Sequence, residues 1–386
     1  MELAQRLDRI AESQTIQMSK LSRELKAKGI DVIDLSIGEP DFDTPQHIKD
    51  AAKRAIDEGY THYTPVAGYA DLRQAVVQKL KRDNGLDYTP EQIVVSTGAK
   101  QSIANVMLSI LNPGDEVLIP TPYWVSYSEI VKLAEGEVRF IPASLDNAYK
   151  VTPAQLEAAI TPKTRLIIYS SPCNPTGALY NREELAALAE VFRKHPQIFI
   201  ISDEIYEYIN YVGKHESIAQ FDFLKDRVII VNGLSKGFAM TGWRLGYIAA
   251  PVAIAKACDK IQSQVTSGTC SITQRAAITA LKGDLTPSLE MVEAFRKRRD
   301  YMVKAFKETP GFILNEPPGA FYVFPKINSY FGKSDGETTI RDADDFSMYL
   351  LHNAHVSSVT GIAFGDPDCV RFSYAASLEK LQEGVK

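Results

Sequence analysis

The sequence predicts an α/β protein whose larger part is a mostly parallel central sheet flanked by helices, and whose remainder is a smaller α+β domain. Three observations carry this prediction. From Glu137 to Asp203 apolar strands alternate with helix-length runs: VRFIP, TPAQLEAAI, RLIIYSS, NREELAALAEVFRKH and IFIIS. That rhythm marks βαβ units whose parallel strands are buried on both faces. Further apolar segments on either side extend the sheet: QIVVS (92–96), EVLIP (116–120) and RVIIV (227–231). A long charged helical run from about Leu289 to Phe306 then connects to a strand-helix-strand tail. With 386 residues, 45% of them hydrophobic, the chain is long enough for two or three domains, each with its own core.

Composition narrows the function classes. A net charge of −5 and an isoelectric point near 5.8 argue against a nucleic-acid or membrane-surface partner. The densest basic run, RKRR at Arg296–Arg299, has helical period and reads as a solvated face. The start, MELAQRLDRIAESQ, has neither a signal peptide's apolar core nor a transit peptide's basic character, and no run approaches the ~18 apolar residues of a membrane span. Cys173, Cys258, Cys270 and Cys369 are scattered and read as reduced thiols of a cytoplasmic protein. His352 and His355 lack acidic or cysteine companions in register, so no metal site is expected. The chain has no fixed repeat, no low-complexity tract, and no dinucleotide or P-loop glycine pattern.

Taken in order, the chain opens with helical spacing from Leu3 to Lys28, interrupted near Ser13 to Gln17 and ended by Gly29. A short strand then enters the turn-rich loop Gly38-Glu39-Pro40-Asp41-Phe42, by its residues either a surface connection or a binding loop. Two amphipathic helices follow between Gln46 and Asn84, separated by GYTHYTPVAGYADLR, in which Tyr63 stands out. After QIVVS, Thr97-Gly98-Ala99-Lys100-Gln101 turns into a helix, and the unpaired N–H groups there offer an anion site. Trp124, just past EVLIP, is either core or a platform for a flat ring.

In a parallel sheet, functional residues belong at the strands' carboxyl ends. Asn174 lies after RLIIYSS in the tight loop Pro172–Gly177, and Asp203 ends IFIIS with Tyr206 three residues on, at the expected start of a helix. A buried acid is costly without a cation to meet, and a protonated pyridine nitrogen is such a cation. Each has a plain alternative: turn former for Asn174, helix cap for Asp203, core for Tyr206. After RVIIV, Lys236 sits among Gly233, Ser235, Gly237 and Gly242, with Arg244 eight residues on. Small neighbours allow close approach, and the guanidinium suits a phosphate or carboxylate. This is the chemistry of an imine-forming lysine beside an anion site, as in pyridoxal 5′-phosphate (PLP) enzymes. Late in the chain, Arg371 stands inside the apolar strand CVRFSY and needs an anionic partner.

The run GLSKGFAMTGWRLG resembles the PLP-attachment signature of the class-I aminotransferases. The resemblance extends in order from GEPDF to VRFSYA and is nearest to the bacterial subgroup of aspartate aminotransferases. It implies PLP fold type I, with a large domain over 46–284 and a small domain formed by 1–45 and 285–386. It implies that Lys236 holds PLP as a Schiff base and moves the proton at the substrate α-carbon. Gly98, Ala99, Lys100, Ser235 and Arg244 would surround the phosphate, with Tyr63 reaching in from the second subunit of a homodimer. Asp203, Tyr206, Asn174 and Trp124 would fix the ring, and Gly38, Asn174 and Arg371 would receive the α-carboxylate. The family completes a helix where this chain stops at SLEKLQEGVK, so further turns are expected there.

The implied reaction is ping-pong transfer from L-aspartate to 2-oxoglutarate. A side-chain carboxylate needs a second cation, and 261–274 holds no basic residue. Lys100, with Ser13 and Thr15 assisting, is the available group, as in the bacterial subgroup. Its single point charge leaves aromatic amino acids, prephenate or alanine as alternative substrates. A PLP lyase on the same fold and a PLP-sensing module fused to a DNA-binding region are the rival classes. The acidic N-terminus disfavours the second.

Overall fold

The computed structural model describes residues 3–386. A 3-10 turn at Gln5–Asp8 precedes α1 (Gln14–Ala27), with Gly29 left-handed just beyond it. The interruption thus falls earlier than the sequence suggests, because Ser13 already flanks the helix. The short β1 (Ile33–Asp34) leads through the GEPDF loop to α2 (Gln46–Asp57), which buries Ile48, Ala51, Ala52 and Ala55 on one face. Next, α3 (Ala70–Lys79) begins inside the stretch expected to separate the helices. Its start is set by a distant residue: the Gln274 side chain accepts the Tyr69 N–H at 2.8 Å.

The alternating region follows as β2 (Ile93–Ser96), α4 (Ala99–Ile110), β3 (Glu116–Thr121), α5 (Ser126–Leu133), β4 (Glu137–Pro142), α6 (Pro153–Ala159), β5 (Thr164–Ser170), α7 (Arg182–Lys194) and β6 (Phe199–Asp203). Capping boxes, Thr152 with Gln155 and Asn181 with Glu184, start α6 and α7. Tyr206 does not start a helix. Turns at Glu207 N–H to Glu204 and Ile209 N–H to Tyr206 replace it, because the buried Glu204 carboxylate is held by Ser202, Ser217 and His215. Then come β7 (Val228–Gly233), β8 (Gly246–Ala249), α8 (Val252–Val265), α9 (Ser271–Lys282) and α10 (Thr286–Glu308). The tail contains β9 (Tyr322–Val323), α11 (Ala343–Tyr349), β10 (Val356–Ser357), β11 (Val359–Thr360), β12 (Val370–Ser373) and α12 (Leu378–Gly384).

The large sheet has seven strands in the order β2-β8-β7-β6-β5-β3-β4, parallel from β4 to β7 and antiparallel at β8. Both faces are buried except along the edge strand β4, where Ile141 alone is buried, and alternation along the inner strands divides the core. Ile167 and Ile200 join one cluster, while Leu166, Ile168 and Ile201 join the other. A third cluster joins α10 to β9 and β12, which pair antiparallel in a sheet ordered β11-β12-β9. Burying this much apolar surface is the main stabilising term of the fold.

Only half of the RKRR run is a solvated face: Arg296 and Lys297 are exposed, whereas the next two arginines turn inward. Arg298 makes a two-pronged pair with Asp41 at 2.6 and 3.0 Å, and Arg299, 7% exposed, bonds Asp300 and the Pro317 carbonyl over the Tyr211 ring. These arginines tie α10 to the GEPDF loop and to the segment before β9. Among the described residues no helix is long and apolar enough to cross a membrane.

Candidate active site

In-register pairing places Ser170 beside Asp203 and Asp203 beside Val231, so β5 and β6 end together and β7 runs two residues further, to Gly233. A cavity of about 260 Å³ lies at that edge and is lined also by Gly38, Tyr322 and Arg371. The topology therefore gathers residues that lie more than a hundred positions apart.

Lys236 follows β7 and lines the cavity, its ammonium donating to the Gly38 carbonyl at 2.5 Å. Burial, with Arg371 and Arg244 nearby, lowers its pKa to about 8 against the opposing pull of Glu39. Glu39 in turn bonds the Thr241 hydroxyl, which ties the GEPDF loop to the segment carrying the lysine.

Asp203, 4% exposed, accepts hydrogen bonds from the Tyr127 hydroxyl at 2.6 Å and the Ile205 N–H at 3.2 Å. Burial nevertheless pushes its carboxyl up to about 6, with neighbouring Glu204 adding to the effect. A carboxylate held by donors but facing no cation among its hydrogen-bond partners is suited to meet one in the cavity. Trp124 lines the same space and meets Tyr127 edge-on, with centroids 5.4 Å apart.

At the other end, Gly98 and Ala99 open α4, and Gly98 takes φ 89°. A Cβ at Gly98 would collide with the Arg244 guanidinium, so glycine is required for the arginine to lie across the helix's N–H groups. Arg244 donates to the Thr241 carbonyl at 2.9 Å, and Ser235 joins the lining. The Lys100 ammonium rests 5.0 Å from the Trp124 ring centre, and burial, then Arg244, lowers its pKa.

Arg371 is 1% exposed on β12, donating to Asn174 Oδ1 at 2.9 Å and to the Ser36 carbonyl at 2.5 Å, while its Nε has no partner. These acceptors are neutral and Arg371 lines the cavity, so it can receive an anion there. Ser13 and Thr15 reach the cavity from the start of α1, which the Ala11 N–H fastens to Glu129 at 2.7 Å. Tyr63 does not join this group; it is 99% exposed and outside the cavity.

Among the lining residues that escape sequence reasoning are Tyr127, which holds Asp203, and Tyr322, whose hydroxyl lies 2.7 Å from that of Tyr206. Tyr127 had a usable signal, standing three residues after Trp124. Tyr322, within the core-like GAFYVFP, had none. A separate buried group, Glu204, Glu207 and His215, has the ligand types of a metal site, but the Lys79 ammonium already pairs with Glu207 there.

The family model "Aminotransferase class I and II" matches residues 30–386. This chain belongs to that family. It is 49% identical to a bifunctional aspartate aminotransferase and glutamate/aspartate-prephenate aminotransferase of Petunia hybrida, over 100% of this chain and 81% of that one. It is 47% identical to an aspartate aminotransferase of Bacillus subtilis, over 100% and 98% of the two chains. Among solved structures, the aspartate aminotransferase from Rhizobium meliloti superposes with a TM-score of 0.96 at 42% identity, covering 100% of this chain and 97% of that one. The Thermus thermophilus enzyme with maleate gives 0.94 at 38% identity, covering 100% and 98%.

As an aminotransferase of PLP fold type I, the protein depends on pyridoxal 5′-phosphate. The donor set fits that group. A lysine with lowered pKa, a buried acid with no cation among its hydrogen-bond partners, and an arginine across a helix N-terminus match an aldehyde, a ring nitrogen and a phosphate.

Proposed function

We propose that this aminotransferase transfers the amino group of L-aspartate to 2-oxoglutarate, giving oxaloacetate and L-glutamate. The observation that carries the reading is that Arg371 and Lys100, the cations suited to a substrate's two carboxylates, line the same cavity as Lys236. The names of the relatives support the substrate. Bound PLP supplies a carbonyl for the amino group and a sink for the electron pair left on the α-carbon.

The chain's own residues do the rest. Lys236 holds the cofactor and, once released, takes the proton from the substrate α-carbon, a task for which a pKa of about 8 suits it. Asp203 keeps the ring nitrogen protonated, and Tyr127 keeps Asp203 in place. Tyr206 and Asn174 serve the ring hydroxyl, Trp124 covers the ring, and Gly98, Ala99, Ser235 and Arg244 take the phosphate. Arg371, with Gly38 and Asn174, receives the α-carboxylate. Lys100, assisted by Thr15 and Ser13, receives the second carboxylate.

The full exposure of Tyr63 supports its acting on a second subunit, so the working form is a homodimer, placed in the cytoplasm. The division into 46–284 and 1–45 with 285–386 puts the cavity between the two parts. Prephenate and aromatic amino acids are the second substrate reading, favoured by the relatives named for prephenate and by the apolar Trp124 beside Lys100. The test is an absorbance titration of the holoenzyme. The visible band should disappear with L-aspartate, return with 2-oxoglutarate, and be absent in Lys236→Ala. A band unmoved by aspartate but moved by another amino acid refutes the substrate.

A further inference from the structure

Tyr322 has no role in the reading above, yet it touches both ends of the site. It lies at 0% exposure on β9, paired to the strand that carries Arg371 through the register Ser373 with Tyr322. Its hydroxyl meets that of Tyr206 at 2.7 Å, the single hydrogen bond described for either hydroxyl. Its ring lies under the Arg371 guanidinium, 4.5 Å from centroid to Cζ. A Cβ on Gly38 would collide with the Tyr322 oxygen, so glycine there does more than permit a turn: it makes room for this hydroxyl.

We propose that Tyr322 is a positioning residue that couples the α-carboxylate site at Arg371 to the cofactor-facing hydroxyl of Tyr206. This rests on the reading that Tyr206 serves the ring hydroxyl and Arg371 the carboxylate. A hydroxyl donates one proton and accepts others. With Tyr322 donating to Tyr206, the Tyr206 proton is directed to the ring oxygen, and each bond polarises the next. The Arg371 cation over the Tyr322 ring makes that phenol the better donor. A carboxylate arriving at Arg371 offsets the cation, weakens the Tyr322 donation, and so weakens Tyr206 as a donor to the ring oxygen.

The consequence is read at Lys236, because negative charge left on the ring oxygen raises proton affinity at the nitrogen beside it. Substrate binding at one end would thereby alter protonation at the other through two tyrosines. The other charged groups facing these residues are Asp34 behind Arg371, Asp203 near Tyr206, and Glu39 and Arg244 near Lys236. They hold in every variant below and act as a constant background.

The experiment is a pH titration of the visible band of the holoenzyme, with and without maleate, a dicarboxylate that has no amine to transfer. It uses wild type, Tyr322→Phe, Tyr206→Phe and the double variant. Tyr322→Phe should raise the band's midpoint by on the order of half to one pH unit, the worth of one neutral hydrogen bond. Maleate should raise the wild-type midpoint, and Tyr322→Phe should shrink that rise. In the Tyr206→Phe background, Tyr322→Phe should add nothing, which a loss of packing alone would not produce.

A Tyr322→Phe midpoint and maleate response equal to wild type overturn the proposal, as does full additivity in the double variant. A wild-type band that survives Lys236→Ala would remove the site reading itself, and the proposal with it.

Discussion

The lowered proton affinity of Lys236 can be tested in the protein without its cofactor. Burial comes first among the causes of a pKa near 8, and the cations Arg371 and Arg244 reinforce it. The ordinary value is 10.5. At pH 7 a lysine with pKa 8 is about a tenth neutral, against about one part in three thousand for an ordinary one, a ratio of roughly 300. Neutral amine is the form that attacks a carbonyl. In the apoprotein, reductive alkylation with a small aldehyde, followed by peptide mass spectrometry, should therefore mark Lys236 ahead of the exposed lysines at pH 7, with a labelling midpoint near 8. Glu39→Gln removes the carboxylate that opposes the shift, so the midpoint should fall further. Arg371→Met removes a reinforcing cation, so it should rise. A midpoint above 10 in wild type, or shifts of the opposite sign in the variants, would refute the electrostatic argument.

Asp203→Asn should separate stability from activity. A folded-state pKa of about 6 against 3.8 means the folded protein binds the proton more tightly than the unfolded chain, so ionised Asp203 destabilises the apoprotein. That cost is fully present above pH 6 and gone below about 3.8. The variant's apoprotein should thus melt higher than wild type at pH 7.5, by up to ~3 kcal/mol of stability, with the gap closing toward pH 4. Its turnover should fall on the order of a thousandfold, because a unit charge pair at ~4 Å in a partly polar interior is worth ~4 kcal/mol. Equal melting at all pH values would show that burial costs this carboxylate nothing. Lys100→Gln should raise KM for aspartate tenfold or more while leaving an aromatic amino acid within about threefold, since one charge-assisted contact is worth ~1.5–3 kcal/mol. Equal losses for both substrates would show that Lys100 serves the phosphate instead.

The sheet was legible because apolar runs such as RLIIYSS and IFIIS have no polar face, and a segment of that kind can only be buried on both sides. The same logic marked Asp203 and Arg371, whose charges are too costly in such strands without a purpose. β8 was not legible: four residues beginning with glycine look like loop, and they are a strand because β2 and β7 supply hydrogen-bond partners on both sides. The start of α3 was hidden for a related reason, its N–H being satisfied by Gln274 from far along the chain. Arg298 and Arg299 misled because charge density says nothing about which partners tertiary packing will supply. Tyr322 carries no mark in the sequence. An aromatic in a core run is indistinguishable from any other until the fold brings a second hydroxyl to 2.7 Å and a guanidinium onto its ring. Residues that bear chemistry through their own charge can be read from sequence. Those that act by orienting another group exist only as geometry.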